Sequence, residues 1–130
     1  MEEKPYIAVN ENVTWISRFI LKEGATVEQF KSIMRGFIDS VDKNEPGALT
    51  YSWFLSPDET YVTVIERFST HEAAGAHLIG ECVTKWFPLL MEITDIDFTY
   101  YGTPSEENAA LFKSLGLEPI GHKHIGGIQR

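Results

Sequence analysis

The chain has 130 residues, 43% hydrophobic and 23% charged, with a formal net charge of −8. That composition is globular and long enough for one domain with its own core. The acidic balance argues against nucleic acid and anionic membranes as partners, since both need a basic face.

A single cysteine, Cys82, excludes an internal disulfide and a multi-thiolate metal site, and it fits a cytoplasmic location. No apolar run approaches the ~20 residues that span a bilayer, and no basic-then-apolar leader opens the chain. Residues 1–12 read as a short acidic lead-in. Val13–Leu21, VTWISRFIL, is β-branched and aromatic, with both faces largely apolar, as in a strand buried on both sides. Gly24 closes it, and Thr26 with Gln29 forms a capping box for a helix. That helix repeats Phe30, Ile33, Met34, Phe37, Ile38 and Val41 on one side until Asn44-Glu45-Pro46-Gly47 stops it.

Residues 49–55 and Tyr61–Phe68 read as strands joined by a polar hairpin turn, Ser56-Pro57-Asp58-Glu59-Thr60. On the second strand Val62, Val64, Glu66 and Phe68 share one face, opposite Thr63, Ile65 and Arg67. Ser69 with Glu72 caps a second helix, expected to run on to a break or kink at Pro88. If that helix is straight, Gly75, Leu78, Ile79, Cys82 and Trp86 share its inner arc and His77 faces away, toward solvent or a subunit seam. Residues 94–102 form a fourth strand. Thr103 caps a third helix over 105–115, with Pro104 at its first position and Gly116 as its stop. The tail is expected to add a short strand before Gly121.

The order is β-α-β-β-α-β plus a helix and tail. That is the α+β, ferredoxin-like split βαβ: one antiparallel sheet with helices on one face. Residues 13–102 carry it, and 103–130 extend the same domain. Ile16, Arg18, Ile65, Phe98 and Tyr100 are expected on a sheet face that the helices leave open, which predicts a homodimer packed sheet to sheet.

Several runs resemble the antibiotic biosynthesis monooxygenase-like domains of the dimeric α/β-barrel superfamily. They are Glu45-Pro46-Gly47-Ala48-Leu49, Tyr51-Ser52-Trp53, Ser56-Pro57-Asp58-Glu59-Thr60, Glu66-Arg67-Phe68 and Ala76-His77-Leu78. The resemblance spans 13–102, and the ending Gly126-Gly127…Arg130 is similar to that of members with a C-terminal extension. It implies a dimer closed through its sheets and a pocket between sheet and helices in each protomer. Some members oxygenate aromatic polyketides or quinols without metal or flavin; others isomerise or bind small molecules. A haem-degrading branch is set aside, because Ser17, Phe68 and Thr84 stand where its asparagine, tryptophan and ligand histidine fall.

The function expected on this basis is a cofactor-independent monooxygenase for an aromatic or quinol-like molecule, with no metal. The alternative is a non-catalytic or isomerase-like dimeric module for an apolar ligand. His77 is the candidate base, with Glu66 and Ser17 as polar partners. Trp15, Phe19, Tyr51, Trp53, Phe68, Trp86 and Phe87 are the candidate walls, and the same aromatics suit a core. His77 also reads as a structurally bonded or solvated histidine, and Glu66 as a structural brace. Cys82 reads as a small buried hydrophobe. His122 and His124 lack a third ligand, and Asp95 and Asp97 mark a solvated strand end.

Overall fold

The computed structural model describes residues 7–8 and 10–129. Most of the lead-in lies outside them, as does Arg130. The elements in chain order are β1 (Ile7–Ala8), β2 (Val13–Leu21), α1 (Val27–Asn44), β3 (Ala48–Leu55), β4 (Tyr61–Phe68), α2 (His71–Leu78), a π-helical stretch (Cys82–Trp86), α3 (Phe87–Ile93), β5 (Thr94–Tyr101), α4 (Glu106–Ser114), β6 (Gly121–His122) and β7 (Gly127–Ile128). The larger sheet runs β3-β4-β2-β5-β6. Its first four strands pair antiparallel in the split βαβ order, and β6 adds a parallel edge beside β5. β1 and β7 form a separate parallel pair.

Local chemistry accounts for most boundaries. The Thr26 hydroxyl accepts the Gln29 N–H at 3.1 Å and the Gln29 side chain accepts the Thr26 N–H at 2.9 Å, so α1 starts on the expected box. Gly116 follows α4 at φ +79°, the left-handed conformation a helix stop favours. Other ends differ from expectation. Thr70, not Ser69, caps α2 by accepting the Ala73 N–H, and Ser105, not Thr103, caps α4 by accepting the Asn108 N–H. Pro88 sits in the first turn of α3, where its missing N–H is harmless, and the helix breaks earlier, after Leu78. The tail strand starts at Gly121 rather than before it.

The helices cover one face of the sheet. From β2 that face receives Val13, Trp15, Ser17 and Phe19, and from β4 it receives Val62, Val64, Glu66 and Phe68, all buried. Each large apolar side chain hidden there contributes roughly 1.5–3 kcal/mol. Phe98 and Tyr100 belong to this inner face and not to the open one: the register sets Ser17 against Phe98 and Trp15 against Tyr100. Phe112 of α4 closes over them, its ring centroid 5.1 Å from Trp15 and 5.3 Å from Phe98, so α4 covers its own protomer. The open face keeps Ile16, Ile20, Phe54, Tyr61 and Ile65, with Arg18, Arg67, Asp95 and Asp97 among them.

Candidate active site

Four elements bring a polar cluster to the inner face. β2 contributes Ser17 and β4 contributes Glu66 two strand positions from Phe68. The end of α1 supplies Glu45, and α2 supplies His77. The Ser17 hydroxyl donates to Glu66 Oε2 at 2.9 Å. His77 Nε2 lies 3.3 Å from Glu66 Oε1, and its Nδ1 lies 2.8 Å from Glu45 Oε1. The Cys82 thiol donates to the other Glu45 oxygen at 3.3 Å and sits 3.4 Å from Nδ1. The imidazole is therefore held on both nitrogens by carboxylates. The side chains of His77, Glu45 and Glu66 are only 5–6% exposed.

His77 faces inward, against the straight-helix projection. α2 ends at Leu78, so its buried stripe is Ala74, His77 and Leu78 at i, i+3 and i+4. The projection carried α2 through Cys82 and Trp86, which belong to a different, π-helical turn. Ile79, placed inside by that projection, is 64% exposed.

Burial alone would pull the His77 pKa down. Hydrogen bonds to Cys82, Glu45 and Glu66 and the charge of Glu66 outweigh it and hold His77 well above its ordinary value. That direction favours the protonated ring, which turns an N–H toward each carboxylate. Burial, with the nearby Glu66, Cys82 and Glu45 charges, keeps the Tyr51 phenol well above its usual range, and burial keeps Cys82 a thiol. Burial also pushes Tyr100 to about 12. Two carboxylates thus meet one imidazole, and a protonated ring balances only one of them.

Ser17, Glu66, His77 and Tyr51 form the polar part of a cavity whose other walls are apolar. Trp15, Phe19 and Phe87 line it as the sequence suggested. Trp53 does not; it stacks behind Phe19 at 5.8 Å and faces a separate groove. Phe68 is fully buried beneath Trp15, and Trp86 packs on Gly36 of α1. Phe37, Ile96, Phe98, Phe112, Leu115 and Leu117 complete the lining. The recess spans about 440 Å³ with its mouth, but only about 40 Å³ is open to water, room for a few molecules. A ring-sized ligand needs the rim to yield, and Leu115 and Leu117, half-buried on the segment after α4, form part of that rim.

Glu45 was missed. Its Asn-Glu-Pro-Gly context signals a turn and gives no hint of a buried carboxylate 32 residues from its histidine. Cys82 is more than a small hydrophobe, because its thiol feeds the same carboxylate. The donor atoms of Glu45, His77 and Cys82 lie within 4.8 Å of one another, residue types that also hold zinc. Each is already accounted for by a hydrogen bond to another. Thr84 is exposed and bonds back to Gly80, and Asp95 and Asp97 are exposed. His122 Nδ1 lies 3.1 Å from the Tyr100 carbonyl, away from the cluster.

No protein-family model matches the chain and no curated protein matches it in sequence. Solved structures do. MupZ from Pseudomonas fluorescens superposes with a TM-score of 0.73 at 23% identity, covering 93% of this chain and 96% of that one. A putative antibiotic biosynthesis monooxygenase from Bacteroides thetaiotaomicron gives 0.63 at 19% identity, over 72% of this chain and 90% of its own. SnoaB, a cofactor-independent oxygenase from Streptomyces nogalater, gives 0.62 at 14% identity, over 73% and 95%. The fold is that of the antibiotic biosynthesis monooxygenase-like proteins. No helix among the described residues is long and apolar enough to cross a membrane.

Proposed function

We propose that the protein is a cofactor-independent monooxygenase acting on a hydroxylated aromatic or quinol-like molecule. The observation that carries this reading is a carboxylate, Glu66, held by Ser17 and His77 in the wall of an aromatic-lined cavity. The expected base changes accordingly. His77 has no free nitrogen, so Glu66 accepts the hydroxyl proton and His77 supplies the positive charge beside it. One proton brings the cluster from −1 to neutral and leaves the ligand as the anion. That electron-rich anion reduces dioxygen directly. One oxygen atom enters the product and the other leaves as water, the substrate losing two hydrogens and supplying all four electrons that reduce dioxygen. The walls keep bulk water from the intermediates.

The small free volume favours a second reading, a non-catalytic or isomerase-like module that closes on an apolar ligand. Oxygen uptake with a panel of hydroquinones and hydroxy-aromatics separates the two. Turnover by wild type, reduced about 10²–10⁴-fold in Glu66→Gln and His77→Gln, is the expected result. Turnover unchanged in both variants removes the assigned machinery, and none in wild type favours the binding module.

The working unit in this reading is a homodimer joined through the open sheet faces. Phe54 is 55% exposed and Ile20 37%, and Ile16 and Ile65 lie opposite each other at the centre of that face. Arg18 faces Asp97 across the strands, so a twofold-related copy meets both signs of charge. A cytoplasmic location suits a free, buried thiol.

A further inference from the structure

We infer that Glu45, which does not line the cavity, sets the charge of the ligand the cavity admits: an uncharged hydroxylated ring enters, and its carboxylate counterpart is rejected. The inference rests on the reading of Glu66 and its cavity as the ligand site.

Charge balance decides which ligand fits. Glu45 and Glu66 share the single imidazole of His77, so even a protonated ring leaves one net negative charge, and Ser17, Tyr51 and Cys82 beside it supply no cation. Among the described residues, no lysine or arginine lines the cavity, whose remaining walls are aromatic and aliphatic. A neutral hydroxyl ligand leaves the total at −1 wherever its proton sits, on the ligand or on Glu66. A carboxylate ligand takes the total to −2 in surroundings that solvate charge poorly.

Glu45 carries its carboxyl at a place that disfavours an anion. It follows α1 directly as that helix's C-cap, where the helix dipole disfavours an anion, and its side chain is only 6% exposed. A glutamine there keeps a carbonyl oxygen to accept the His77 N–H. On its outer side Glu45 borders a groove shared with Asp42 and Tyr51, so its charge acts on the cavity through the imidazole and not by contact with the ligand.

The test uses 4-hydroxyacetophenone and 4-hydroxybenzoate, which share shape and phenol and differ by a methyl against a charged oxygen. Equilibrium dialysis at neutral pH should find wild type binding the ketone at least about tenfold more tightly. Glu45→Gln should narrow that preference about tenfold with little change in ketone affinity, while Glu45→Asp, which retains the charge, keeps it. Equal or tighter binding of the benzoate to wild type overturns the inference without any variant. So does an unchanged ratio in Glu45→Gln. If neither compound binds, the ligand site itself is misassigned and the inference falls with it; oxygen uptake plays no part in any of these readings.

Discussion

At His77 one imidazole bridges two buried carboxylates, Glu45 and Glu66, that would otherwise have no counter-charge beside them. Breaking such an arrangement by removing one partner costs about 3–5 kcal/mol. His77→Gln should lower the urea-unfolding free energy by that order at pH 6. The pH dependence has a definite sign. The folded pKa is raised, so the stabilisation is fully present below the unfolded value of about 6.5 and is lost as pH climbs through the folded value. The gap between wild type and His77→Gln should therefore narrow in alkaline solution; a gap that widens there contradicts the assignment. The residue types were legible in part. Ser17 and Glu66 stand on strands, where period two assigns a face without ambiguity. His77 stands on a helix whose end had to be known first, and Glu45 carried only a turn signal.

Among the elements, α1 and the π-helical stretch meet with no room for a side chain at Gly36. A Cβ on Gly36 would collide with the Trp86 indole, which is rigid and wedged between helices. Gly36→Ala should destabilise by about 1–3 kcal/mol from overpacking, partly offset by the ~1 kcal/mol of helix propensity that alanine brings. Thermal unfolding measures the net, and a variant more stable than wild type would show that Trp86 moves freely. Strand and helix order were readable because β4 alternates strictly and α1 repeats at helical spacing. The π-helical stretch was not, since its wider turn breaks the period on which such projections depend. Ser69 and Thr103 were chosen as caps because each begins a cap-like pattern one or two residues too early; the pairs Thr70–Ala73 and Ser105–Asn108 prevail. Phe98 and Tyr100 face inward because they pair with Ser17 and Trp15 on β2, and Phe112 of α4 supplies their cover.

For the whole molecule, the open sheet face is the surface on which the proposed dimer rests. Sedimentation should find a dimer at micromolar concentration, and Ile65→Lys, which sets a charge at the centre of that face, should yield a folded monomer. A wild-type monomer contradicts the assembly but leaves the cavity intact, because every residue of the polar cluster comes from one chain. The proposed chemistry depends instead on the charge held at that cavity. ¹⁵N NMR of the His77 side chain reads it most directly. The account predicts both ring nitrogens protonated at neutral pH and remaining so well above pH 6.5; a neutral ring at pH 7, titrating at or below the ordinary histidine value, contradicts it.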